Sequence, residues 1–407
     1  MKHIIIITVL LFTLTLGSAR NVRFSIVIPD TSRVEMIISV ELEKFGFSNE
    51  DNLSLYYDQG KKKIIVPSQV EGNRLWWIME APVLPGTKWY ELSSGKTENQ
   101  WSAMQLSDLD GKLTVHLGTQ ELLTYQAATV YPPPGVDTVF KRSGFIHPLR
   151  SPHGQYLTLI QPKDHYHHYG IWNPWTHVLF EGDTIDFWNL GYRQGAVRFA
   201  GLTRKFEGPV FSGYEVLHEH VVFKRGGTEV VALNELQEVR VYRPATDRYL
   251  VDITIRYRCA GSSPFHILAY RYAGLGWRAT EGWNDTNSGI LTSEGKDRSN
   301  ADGSLARWFV YQGQLGNDYG GMEMMSSPAN FNHPEPLRIW PPGMNGRGDV
   351  FANFAPAKTR DWLLEPGKHY ALKYRFLVFN GKLDADAAEE CWRAFAGNEY
   401  AIELKKD

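Results

Sequence analysis

The amino-acid sequence predicts an all-β fold, with a small N-terminal β-sandwich followed by a large antiparallel β-sandwich. Three observations carry that expectation. Short apolar–polar alternations recur between polar turns over the first hundred or so residues. A longer alternation, RYLVDITIRYRC at 248–259, sets Val251, Ile253, Ile255, Tyr257 and Cys259 on one face and Asp252, Thr254, Arg256 and Arg258 on the other. Only one stretch reads as a helix, near the end of the chain.

Residues 1–19 read as an export signal. Lys2 supplies a thin positive start, 4–16 is a largely apolar run broken by threonines, and Gly17-Ser18-Ala19 ends in the small residues that a signal peptidase reads. The run is short for a bilayer span, and no later stretch approaches the roughly 20 apolar residues a span needs. The expectation is an exported, periplasmic or extracellular protein with a mature start near Arg20 and no lipid-anchored cysteine there. Strand candidates follow at 22–29, 35–42, 53–57, 63–67 and 75–78, spaced as in a small sandwich over 20–100. The polar stretch SSGKTENQWS at 93–102 marks its boundary and leaves 101–407 to the large sandwich. There, 265–272, 306–312, 321–325 and 350–354 join 248–259 as strands. HYALKYRFLVF at 369–379 is apolar on both faces toward its end, as a central strand is. Asp384 is a good N-cap for AAEECWRAFAG, with Gly397 as the stop. So many antiparallel strands imply two large sheets packed face to face.

Formal net charge is −2 at pH 7 with lysine and arginine scattered, which excludes the basic footprint of a nucleic-acid binder. The two cysteines, Cys259 and Cys391, form no C-x-x-C pair. They read as two small buried side chains, or as a long-range disulfide that export would permit. Aromatic content is high, with 13 Trp, 20 Tyr and 20 Phe. The surplus beyond core needs suits a surface that stacks on the C–H faces of sugar rings. No G-x-S-x-G elbow occurs, which argues against a serine hydrolase of that type.

Chemistry concentrates in PKDHYHHYGIWNPW at 162–175. In an extended segment His165 and His167 would share one face, with Asp164 and His168 on the other. Such an H-x-H pair, His165 and His167, is a divalent-metal ligand arrangement. Its further ligands would come from His147, His153, His177, Asp183 or Asp186. The glutamate that follows comparable pairs in barrel-type sites is replaced here by Tyr169, Gly170, Ile171 and Trp172. An acid–base reading needs no cofactor: a histidine carries a proton near neutral pH, and Asp164 can fix its tautomer. A third reading is structural, with the histidines bonding backbone in a polar turn.

Two flanking stretches add candidates. RSGFIHPLRSPH at 142–153 reads as an irregular loop, because Pro148 and Pro152 restrict the backbone, and it presents His147. YRYAGLGWRATEGW at 270–283 interleaves Arg271, Tyr272, Trp277, Arg278 and Glu281 among glycines. Arg271 or Arg278 can clamp a carboxylate or hydroxyl-rich substrate. Glu281 is the distant carboxylate partner for the histidines, and Trp172, Trp175 and Trp277 would stack on a sugar.

The blocks RSGFIHPLRSPHG, PKDHYHHYGIWNPWTHVLFEGDTIDFWN and YRYAGLGWRATEGW resemble a family of exported bacterial proteins labelled "methane oxygenase PmoA". The resemblance runs over most of the mature chain and implies a companion of polysaccharide-degrading enzymes. It implies no methane chemistry: a methane monooxygenase membrane subunit needs several spanning helices, and none follows the leader here. The large sandwich is expected to resemble the galactose-mutarotase-type supersandwich, an architecture common among carbohydrate-processing proteins. The expected function is that of a hydrolase, lyase or epimerase acting on a glycan or oligosaccharide, with His165 or His167 carrying the proton. A metal-dependent oxygenase or lyase and a non-catalytic glycan-binding protein are the other classes.

Overall fold

The computed structural model describes residues 20–60, 62–95, 101–397 and 401–404. The export signal expected at 1–19, and 96–100 of the expected boundary stretch, lie outside the described residues.

The first sandwich is built from two antiparallel sheets. One runs in the order Ala401–Leu404, Asn21–Ile28, Gly86–Ser94, Leu53–Asp58, Lys63–Val66. The other runs Met36–Glu41, Arg74–Met79, Ser68–Glu71. Alternate residues turn inward, so Phe24, Ile26, Ile38, Leu55, Trp77 and Leu92 meet in one dry core. The strand Ala401–Leu404 comes from the far end of the chain and pairs with the first strand from Phe24↔Leu404 to Val27↔Ala401.

The second sandwich packs a nine-stranded sheet on an eight-stranded one. The nine run Leu305–Ala306, Glu335–Ile339, Phe351–Phe354, Gly276–Arg278, Ile171–Trp172, Phe145–Leu149, Gln120–Gln126, Lys112–Leu117, Gln105–Leu109. The eight run Gly195–Phe206, Phe211–Phe223, Glu229–Tyr242, Arg248–Cys259, Tyr370–Asn380, Asp318–Ser326, Trp308–Leu315, Ser288–Thr292. Strand Arg248–Cys259 follows its expected alternation, with Val251, Ile253, Ile255, Tyr257 and Cys259 all buried in the shared core. Tyr370–Asn380 lies between Arg248–Cys259 and Asp318–Ser326, and both of its faces are covered. Phe376 and Val378 point into the core, while Leu377 and Phe379 point to the opposite face. That opposite face packs on Trp76 and Ile78 of the first sandwich and on the C-terminal helix Ala385–Ala396. The helix starts as expected: Asp384 Oδ1 accepts from the Ala387 amide at 2.8 Å.

Three expectations need correction. The strand expected at 265–272 ends at Ile267 and joins a separate four-stranded sheet with Val178–Phe180 and Trp362–Leu364. The stretch 142–153 is not all loop, because Phe145–Leu149 is a strand that takes Pro148 next to a register shift opposite Leu123 and Tyr125. The run 195–242, where the sequence pattern marks no strand, holds a three-strand meander of 12, 13 and 14 residues. Both cysteines are free and buried, Cys259 in the shared core and Cys391 on the buried face of the C-terminal helix. Among the described residues no helix is long and apolar enough to cross a membrane.

Candidate functional site

The chemistry-bearing loop lies on the outer face of the nine-stranded sheet. In its middle strands, Ile171, Trp277, Ala352 and Phe354 turn inward to the shared core. Trp172 and Phe351 turn outward into a second aromatic layer with Tyr169, Trp188 and Trp340. The loop 161–170 folds over this layer. The His165 amide donates to Pro162 O at 2.9 Å, and the His168 amide to His165 O at 3.0 Å. These are two successive turns, so the segment is not extended and His165 and His167 do not share a strand face. Gly170 closes the loop with φ +59°, and a Cβ there would lie 2.3 Å from Ile146 O. Turned in this way, His165, His167 and His168 converge on one side, with one ring nitrogen from each within 4.8 Å of the others.

The cluster has a rigid floor. His168 is buried, its ring 5.2 Å from Trp172, 5.3 Å from Phe351 and 5.4 Å from Trp340. Its Nδ1 has no hydrogen-bond partner. His165 stacks on His168 at 4.7 Å and leans on Trp340 at 4.9 Å. His165 Nδ1 donates to Asp164 Oδ2 at 2.7 Å. Asp164 is held in turn by Arg278 Nη2 at 3.1 Å and Asn345 Nδ2 at 2.7 Å. Both donors also reach Asp349 at 3.0 Å. Burial, reinforced by the neighbouring histidines, holds His168 well below the usual histidine range. Burial and His165 bring His167 down to about 4. Both rings are therefore uncharged near neutral pH.

The other candidates take different places. Arg278 is buried, with Nη2 on Asp164 and Asp349 and the guanidinium over the face of Trp340 at 4.7 Å, so it positions the loop. Trp172, Trp175 and Trp277 are buried and cannot stack on an external sugar. Trp277 Nε1 donates to Leu157 O at 2.8 Å, and Trp175 packs on Tyr257 and Trp362. Glu281 is exposed, and its backbone oxygen accepts from Arg347, which also holds Asp349. It sits at the rim and makes no bond to a histidine. Arg271 is exposed over Tyr270 and Tyr272. The Tyr272 hydroxyl accepts from Trp340 Nε1 at 2.9 Å and Arg338 at 3.0 Å, so it braces the floor. His147 faces outward from its strand but bonds Thr158 Oγ1 at 2.9 Å, and burial lowers it to about 4.

None of the further ligands expected for a metal joins the cluster. His153 pairs with Asp318 at 2.5 Å, His177 packs on Tyr270 at 3.9 Å, Asp183 is exposed in a hairpin, and Asp186 caps the Trp188 and Asn189 amides.

Sequence reasoning missed Trp340, Asn345 and Asp349, which sit in WPPGMNGRGD; only its turn residues stood out there. It also missed a buried cluster between the two large sheets, although LHEHVV at 217–222 carries a second H-x-H pair. His218 Nδ1 and His220 Nε2 each lie 2.9 Å from the Glu235 carboxylate. Tyr125 OH lies 2.5 Å from His218 Nε2, and Asn173 Nδ2 reaches Glu235 at 3.1 Å. Burial pushes Glu235 up, but the hydrogen bonds from His218 and His220 outweigh it and bring it down to about 2. The cluster is closed to solvent and acts on stability. A cleft of about 590 Å³ lies elsewhere, between the two sandwiches, lined by Glu35, Ile78, Glu80, Pro209, Arg243 and Arg248. It holds no histidine, and Arg248 and Glu35 pair with each other at 2.8 Å.

Aromatic rings, half-buried to exposed, flank the histidine loop. Tyr166 lies 5.9 Å from Phe140, which packs near Gly191. From these same neighbouring segments Tyr131 is 60% and Tyr192 67% exposed.

A family model described as a family of unknown function, DUF6807, matches residues 112–393. No curated protein sequence matches the chain. Among solved structures, the chain is similar to a protein in glycosyl hydrolase family 38 from Enterococcus faecalis, at 8% identity and a TM-score of 0.42. That likeness covers 95% of this chain and 47% of the other, so the chain spans about half its length. It is also similar to a GalM/aldose epimerase homologue from C. elegans, at 10% identity and a TM-score of 0.31, over 70% of this chain and 99% of the other.

Proposed function

The chain belongs to DUF6807, a family of unknown function, and from its histidine loop we propose that it is an exported carbohydrate-active enzyme. The observation that carries the proposal is the convergence of His165, His167 and His168 on one partly exposed spot. Because His167 and His168 are uncharged near neutral pH, they enter a reaction as lone-pair donors and not as acids. Asp164 accepts a hydrogen bond from His165 Nδ1, which leaves Nε2 as the nitrogen turned toward the other two rings. Three lone pairs at one point either accept a proton from a substrate or share a cation. Both uses make this loop the reaction centre.

The sugar part of the proposal rests on the exposed rings. Tyr131 and Tyr192, with the half-buried Tyr166 beside the loop, offer flat faces with a hydroxyl at the tip, which suits pyranose C–H faces and their hydroxyls. The buried tryptophans support the loop from beneath. Export rests on the apolar leader and the small residues at 17–19. The resemblance to exported companions of polysaccharide-degrading enzymes points the same way.

The test is turnover of a panel of neutral and acidic oligosaccharides, followed by chromatography, for the mature protein and a His165→Ala/His167→Ala variant. The wild type should convert at least one glycan. The variant should be slower by at least ~100-fold with unchanged circular dichroism. A variant as fast as the wild type removes the loop from the reaction. Glycan binding without product, equal in both proteins, makes this a binding protein instead.

A further inference from the structure

We propose that His165, His167 and His168 bind one divalent transition-metal ion and leave a fourth position open to water or substrate. The proposal rests on the reading above for the use of the metal, and on the geometry of the loop for its binding.

Three features of the loop lead to it. The first is distance. One ring nitrogen from each histidine lies within 4.8 Å of the others. Tetrahedral zinc at about 2.0–2.1 Å from nitrogen sets its ligands roughly 3.4 Å apart, so the rings need draw in by no more than about 1.4 Å. Small ring tilts supply that. Three protein ligands with one open position is the pattern of catalytic metal sites, and imidazole-only ligation selects Zn, Cu, Ni or Fe over Ca and Mg.

The second is an unpaired atom. His168 Nδ1 is buried with no hydrogen-bond partner, while its ring is clamped by Trp172, Phe351 and Trp340. Such an atom needs a partner, and a metal ion brought by the two neighbouring rings provides one.

The third is the outer shell. Metal-binding histidines donate their other ring N–H to a carboxylate, which orients the ring and raises its basicity. His165 does this to Asp164 at 2.7 Å. Asp164 is fixed by Arg278 and Asn345, and both are fixed by Asp349. A histidine in a decorative turn needs no such chain of supports. His165 and His167 remain partly exposed, so the open position faces the outside.

Elemental analysis of the mature protein, purified without a histidine tag or chelator, tests the proposal. About one equivalent of a transition metal is expected, falling to background in His165→Ala/His167→Ala. Asp164→Asn keeps all three ligands, and in competition with a chelator its affinity should fall ~10–100-fold. Background metal in the wild type, with no rise in melting temperature on adding Zn²⁺, Co²⁺ or Ni²⁺, overturns the proposal. So does full metal retention in the double variant. Should that variant fail to fold, cobalt absorption of His167→Gln decides: loss of the tetrahedral spectrum supports the site, and an unchanged spectrum overturns it. The two proposals fail separately. No metal, with turnover lost in the double variant, leaves the reaction centre and removes the ion. Metal bound and lost with the histidines, with turnover untouched, does the reverse.

Discussion

At Gly170 the backbone takes φ +59°, and a Cβ would press on the carbonyl oxygen of Ile146. Gly118 has nearly the same φ, +57°, with nothing within 4 Å. The pair separates two costs. Gly118→Ala should lose only the left-handed penalty, about 1–2 kcal/mol. Gly170→Ala should lose clearly more and should displace the histidines, read by denaturant titration and by metal content. Equal losses at both positions would show that the loop re-enters the sheet without the close approach. The density of DHYHH was enough to mark the region. Its shape was not readable, because two hydrogen bonds to Pro162 O and His165 O decide between a strand and paired turns. The tryptophans misled for a different reason. Trp172 and Trp277 point to opposite faces of the sheet, and either alternation allows one exposed face. Here both faces are covered, which only the second aromatic layer reveals.

Strand Arg248–Cys259 could be read residue by residue because its outward face is strongly charged. The meander Gly195–Tyr242 carries the same pattern in a noisier form. His218 and His220 point inward at positions that strand alternation gives to apolar residues, and glutamate at 235 is buried beside them. A buried ionic cluster therefore erased the very periodicity that identifies a strand. The C-terminal helix was clear from its cap alone. Asp384→Ala removes the acceptor of the Ala387 amide, and should cost about 1 kcal/mol in a chemical denaturation experiment. Its ion pair with Arg33 is long, at 3.6 Å and exposed, so it should add little. A loss well above 2 kcal/mol would mean that the helix anchors the two sandwiches more tightly than its packing on Trp308 and Leu377 implies.

Two glutamates inside the large sandwich titrate with opposite sign. Burial pushes Glu335 up to about 7, despite hydrogen bonds from Ser326, Asn330 and Tyr374. Its folded value lies above the unfolded one, so its contribution is complete below pH 4.5 and is lost as pH rises to 7. Glu235, down at about 2, contributes fully above pH 4.5 and loses that contribution as pH falls. Between pH 4.5 and 7 the wild type should lose roughly 3 kcal/mol relative to Glu335→Gln, at about 1.4 kcal/mol per pH unit. Parallel stability curves for the two proteins would show that Glu335 is charged in the fold. Glu235→Gln should instead flatten the acid limb, from a starting point about 3–5 kcal/mol lower because its histidine partners lose their anion.

The pairing of Ala401–Leu404 with Asn21–Ile28 sets an order of events in time. The Asn21–Ile28 edge of the first sandwich stays open until the distant segment Ala401–Leu404 reaches it. Contacts of such long sequence separation form late and slowly. The same open edge is a ready template for pairing with another chain, so stalled or truncated chains should associate through Asn21–Ile28.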